Sequence, residues 1–212
     1  MATYTTRSTI ILSLLVGALL TPLLPEAATA ATAATRPGFT TADKVTVVPA
    51  PSFSGKADEI AYKWTQDLFT AAGFEFPIVA VEFHRNEEAC GGARGRTHFT
   101  DEDLATIVVC ATHNNPEVED SWRQRTLLHE LAHAWIDQNV STERTRAFME
   151  LRGLDEWSSR NVAWEKRATE HAAEILMWGL QDGDYKIDFR IEGTESDELT
   201  AGYQLLTEPT HN

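Results

Sequence analysis

The sequence predicts an α+β chain, with strands gathered ahead of a long helix and helices dominating the C-terminal half. Three observations carry that prediction. Two short β-branched runs, Pro77 to His84 and Thr106 to Ala111, read as strands. A long apolar-periodic stretch comes after them and ends near Asn139. A second strong helical stretch, Val162 to Leu180, and a shorter one from Asp197 to Leu206 fill the C-terminal half.

Taken in order, residues 1–30 have the make-up of a secretory signal. Arg7 precedes an apolar run from Ile10 to Leu20, and Ala28-Thr29-Ala30 gives a small-x-small cleavage pattern. The run is short for a transmembrane span. The expectation is therefore a secreted, extracellular protein that leaves the membrane once the signal is removed. Residues 31–55 are rich in Ala, Thr and Pro and read as a loosely held arm, with a short strand at Val45 to Val48. The remainder, 56–212, reads as a single domain.

Within it, Ala57 to Ala72 carries Ile60, Ala61, Trp64, Leu68 and Ala72 on one helical face, and Gly73 is placed to cap it. Cys90-Gly91-Gly92-Ala93-Arg94-Gly95 is a turn cluster after the first strand. Asp120-Ser121 is expected to open the long helix, with Ser121 and Gln124 forming a capping box. Thr142 to Leu151 reads as a short helix, Gly153 to Asn161 as a loop, and Tyr185 to Ile191 as a late strand.

Composition narrows the function classes. With 42% hydrophobic and 24% charged residues, wholesale disorder is not expected. A net charge of −14 argues against a nucleic-acid or anionic-membrane partner, because both require basic patches. The two cysteines, Cys90 and Cys110, suggest one disulfide in an oxidising compartment. They lack the Cys-x-x-Cys spacing of thiolate zinc sites.

The chemistry centres on His129-Glu130-Leu131-Ala132-His133 in the long helix. Histidines at i and i+4 point the same way and can share one zinc ion. Leu127, Leu128, Leu131, Trp135 and Ile136 occupy the apolar sides and leave the two histidines on the remaining face. A carboxylate directly after the first histidine can take a proton from zinc-bound water and return it to a leaving amine. Glu130 is thus the expected catalytic base, and His129 and His133 are expected metal ligands for one catalytic Zn2+.

A catalytic zinc needs a third protein ligand. The best candidate is Glu170, which has Glu174 one helical turn on. One carboxylate can bind the ion while the other accepts the free N–H of a ligand histidine. His171 and Asp155 are weaker alternatives. Ile136 and Asn139 exclude the extension that would supply a third histidine downstream. Candidates for stabilising an oxyanion are His98, His113, Tyr203 and His211, and the sequence does not choose among them.

These residues resemble the zincin metallopeptidases of gluzincin type, which pair His-Glu-x-x-His on one helix with Glu-x-x-x-Asp on a later one. Here Glu170-His171-Ala172-Ala173-Glu174 has Glu at the last position. The stretches Leu127 to Trp135, the Glu170 helix ending in Trp178-Gly179-Leu180, and Gly202 to Thr207 are also similar to small secreted bacterial metallopeptidases. The resemblance implies a zincin-like fold: a small mixed sheet packed on the active-site helix. An edge strand, at Thr106 to Ala111, would border the cleft and bind an extended peptide. It implies a zinc-dependent hydrolase acting on a peptide or protein substrate. The alternative from another class is an exported zinc-containing binding module without proteolytic activity, which would have no need of Glu130.

Overall fold

The structure, a computed structural model, describes residues 48–99, 104–110, 115–183 and 191–208. The expected signal segment, most of the N-terminal arm, and nearly all of the strands expected at Val45 to Val48 and Tyr185 to Ile191 lie outside the described residues, as do His113 and His211. Among the described residues the order is α1 (Lys56–Ala71), β1 (Val79–Phe83), β2 (Gly95–Phe99), β3 (Ala105–Val109), α2 (Pro116–Asn139), α3 (Thr142–Arg152), α4 (Ala168–Leu180) and α5 (Ser196–Thr207). The architecture is α+β, and residues 45–212 form one compact unit. No helix among the described residues is long and apolar enough to cross a membrane.

The three strands form one mixed sheet in the order β1-β3-β2. β1 runs parallel to β3, with Val81 opposite Ile107, and β2 runs antiparallel to it, with Thr97 opposite Ile107. The strand expected at Thr106 to Ala111 is therefore central rather than an edge. Its unbroken Ala-Thr-Ile-Val-Val run suits a strand with neighbours on both sides and little exposure. The edge next to α2 is β2, whose Gly-Arg-Thr-His-Phe sequence shows no apolar alternation and continues directly from the glycine turn cluster. Its outer residues face solvent, so the usual period-two signal is missing.

Two helix boundaries also differ from expectation. α2 opens at Pro116, where Glu119 N donates to Asn115 O at 2.9 Å. Proline in the first turn gives up no needed N–H, so the helix begins ahead of Ser121 and the Ser121–Gln124 capping box is not formed at its start. The stretch from Val162 does not run as one helix. A short 3-10 turn, Trp164–Lys166, is followed by Arg167 in extended backbone (φ −88°, ψ 123°), and only then does α4 begin. The break is held by Ala168 N donating to Glu156 O and Thr169 N to Trp157 O, each at 2.9 Å. It places Glu170 in the first turn of α4, where a carboxylate is favoured by the helix dipole.

α2 is the middle of the molecule. Leu127, Leu128 and Leu131 are wholly buried, as are Ala172, Ala173, Ile175, Leu176 and Met177 of the facing α4. α5 closes on α4 at Gly179, where an added Cβ would stand 2.1 Å from the Tyr203 ring. α1 is tied to α2 by a buried ion pair, Arg123 Nη1 to Asp58 Oδ1 at 2.6 Å, with Glu119 on the other side of the guanidinium at 2.7 Å. Gly73 takes a φ of +74° just past α1, as a left-handed cap requires. The last residues of the arm are fixed: Ser52 pairs with Glu82 of β1, and Ser54 donates twice to Asp58.

Cys90 and Cys110 form a disulfide, both residues fully buried. It fastens the turn before β2 to the end of β3, and Cys110 N donates to Arg94 O across the same junction at 2.6 Å. Closing a loop of this size adds roughly 3 kcal/mol in the chain-entropy account.

Candidate metal centre

His129 and His133 project from α2 toward the first turn of α4. His129 Nε2 and His133 Nε2 are 3.1 Å apart, and Glu170 Oε2 stands 3.1 Å from the first and 3.3 Å from the second. A tetrahedral zinc ion with bonds of about 2.0 Å holds its ligand atoms about 3.3 Å apart. The three donors thus form one triangular face of a coordination shell that fits zinc in size and in its nitrogen and oxygen chemistry. Among the described residues, no other group of three or more His, Cys, Asp or Glu side chains converges in this way.

Behind the donors, the remaining ring nitrogens are occupied. His129 Nδ1 lies 3.1 Å from Glu174 Oε1. A carboxylate can only accept there, so Nδ1 carries a proton, and once the ring is neutral its Nε2 lone pair faces the cluster. His133 Nδ1 lies 3.1 Å from Thr169 Oγ1, which can serve the second ligand in the same way. Glu174 itself is almost wholly buried, and its other oxygen pairs with Arg125 Nη2 at 3.6 Å. The Trp164 ring stacks over His129 at 6.2 Å, closing one side.

The electrostatics suit a cation. Burial alone would lower the His129 pKa, but the carboxylates of Glu170 and Glu174, with Glu130 nearby, outweigh it and raise the imidazole to about 10. Glu170 shows the converse: burial would raise its carboxyl, and the two histidines against it hold it far below the ordinary carboxylate value. Three acidic side chains thus surround one imidazole, an arrangement that favours positive charge at the cluster.

Glu130 sits on α2 next to His129 and lines a cavity of about 550 Å³ that also reaches His129. Its Oε2 accepts from Thr97 Oγ1 of β2 at 2.7 Å. Strand and helix approach so closely here that a Cβ on Gly95 would stand 2.5 Å from Thr126 Cγ2 and 2.8 Å from Glu130 Oε1. Glycine at this position lets the edge strand reach the carboxylate.

The sequence-derived residues His129, Glu130, His133, Glu170 and Glu174 are therefore brought together. The alternatives for the third ligand are not. His171 is buried on another face, with Nε2 2.9 Å from Glu165 O and Nδ1 beside Arg152. Asp155 is exposed and outside the cluster. Tyr203 is packed on Gly179 and Trp178, and His98 lies exposed on β2. Thr97, Thr169 and Trp164 carry no motif that marks them in the sequence. Thr97 lies in a strand without apolar alternation, and Thr169 and Trp164 acquire their places from the break before α4.

No protein-family model, curated protein or solved structure matches the chain.

Proposed function

We propose that the protein is a secreted, zinc-dependent peptide hydrolase of zincin, gluzincin-like type. The observation that carries this reading is the convergence of three donor atoms within 3.1 to 3.3 Å, with the Glu130 carboxylate on the wall of the adjoining cavity. His129, His133 and Glu170 would hold the ion, and Glu174 and Thr169 orient the two imidazoles. When bound, zinc would supply Lewis acidity toward a scissile carbonyl and lower the pKa of a water.

The chain's own residues do the rest. Glu130, steadied by Thr97, takes a proton from the attacking water and later delivers it to the leaving amine. Trp164 and the packed α2–α4 interface restrict solvent around His129. The edge strand β2 borders the cleft, where an extended peptide can lie along its backbone. The disulfide and the leader-like N-terminus support export.

A structural or storage zinc site would not need a carboxylate at position 130, which favours the hydrolase over a zinc-containing binding module. Glu130→Gln is expected to keep its zinc and lose at least about 100-fold in peptide hydrolysis. Undiminished cleavage by that variant would contradict the assignment, and failure of the wild type to cleave a broad peptide library would favour the binding module.

A further inference from the structure

We propose that the cavity beside Glu130 is a carboxylate-binding subsite, with Arg94 as its anchor and Arg125 as its support. It would receive an acidic side chain or the free C-terminus of a peptide, a choice of substrate that rests on the hydrolase reading.

The cavity is about 550 Å³ and carries Arg94, Trp122, Arg125 and Trp164 on its walls beside Glu130 and Glu174. Both carboxylates are turned to other work: Glu130 accepts from Thr97, and Glu174 faces His129 and Arg125. Arg94 Cζ lies over the Trp122 ring, 3.5 Å from its centroid. A cation–π contact of this kind leaves guanidinium N–H groups able to pair with a carboxylate. The backbone that presents it is tethered, because Arg94 O accepts from Cys110 N and the Cys90–Cys110 disulfide closes the same loop. A donor held in place before binding loses less entropy when it binds.

On the other flank of the cluster His133 lines a separate cavity of about 600 Å³, with Phe99, Ile136 and Trp157 beside Asp137, Thr145 and Ser158, and no arginine. β2 contributes Gly95 to the first cavity and Phe99 to the second, so the cluster stands between the two, and arginine lines the first alone. On a chain of net charge −14, Arg94 and Arg125 are the cationic side chains of this cavity, and Arg125 already faces Glu174.

The test is a titration by calorimetry of Glu130→Gln protein, so that no turnover intervenes. Three blocked alanine-based peptides serve as probes: one with a single glutamate, its glutamine isostere with an amidated end, and that glutamine peptide with a free C-terminal carboxylate. At least one carboxylate peptide should bind about tenfold more tightly than the amidated glutamine peptide. Which one does so tells side chain from chain end. The advantage should weaken with added salt, nearly vanish when Arg94→Met is introduced, and be partly kept by Arg94→Lys. Equal binding of all three peptides, no binding of any, or an advantage that survives Arg94→Met would each overturn the subsite. Because binding is read without cleavage, a protein that hydrolyses peptides without carboxylate preference would sink the subsite alone.

Discussion

Glu174 holds Oε1 against His129 Nδ1 at 3.1 Å while its other oxygen pairs with Arg125, so a buried carboxylate fixes both the tautomer and the tilt of one proposed ligand. Removing such a partner commonly weakens metal affinity about 10- to 100-fold. Glu174→Ala should show that loss in a competition titration with a zinc chelator, and an unchanged affinity would deny Glu174 the role. The same residues give the metal-stripped protein a pH signature. His129 has an ordinary pKa of 6.5 and a folded value of about 10, so its contribution is complete below pH 6.5 and is lost as pH rises through 10. Glu170 is lowered from 4.5, so its contribution is complete above pH 4.5 and is lost on acidification. Urea midpoints of metal-stripped protein should therefore fall between pH 6.5 and 10. Zinc binding should strengthen over the same range, because His129 must give up its proton to bind. A metal-stripped protein that grew more stable toward pH 9 would contradict this balance.

At the scale of elements, α2 carries His129, Glu130 and His133, and its neighbours hold it in place. The Arg123–Asp58 pair joins α1 to α2 with both side chains nearly inaccessible. Asp58→Ala would strand a buried guanidinium, with Glu119 its remaining carboxylate, and should cost about 3 kcal/mol in denaturant unfolding. A loss below about 1 kcal/mol would mean that Glu119 or water takes over the charge. Whether an element can be read from sequence depends on what it buries. α1, α3 and α5 have ends close to those expected. β1 and β3 are β-branched and mostly buried, and they too are legible. β2 is not, because an edge strand of Gly, Arg, Thr, His and Phe has no apolar face to reveal it. The break before α4 is not legible either. It depends on Arg167 pairing with Glu156 across a loop, and nothing in the local sequence from Val162 onward interrupts the helical pattern.

For the whole molecule, the donor set is more legible than the cleft around it. His129, Glu130 and His133 are fixed by spacing on one helix. Glu170 and Glu174 emerge from one turn of another helix and the need for a third ligand. Thr97, Thr169, Trp164 and Arg94 reach the site only through tertiary contacts: β2 against α2, the turn before α4, and the loop closed by the disulfide. Their types are common on any surface, so sequence gives them no mark. Everything proposed of the protein's activity depends on the cluster binding metal. The direct measurement is zinc content per chain, by elemental mass spectrometry, on purified wild type, His129→Ala, Glu170→Ala and Glu130→Gln protein. The wild type and Glu130→Gln should each hold one zinc per chain, and the His129 and Glu170 variants should lose most of it. A wild type without stoichiometric zinc, or a Glu170→Ala variant that keeps its full complement, would contradict the account.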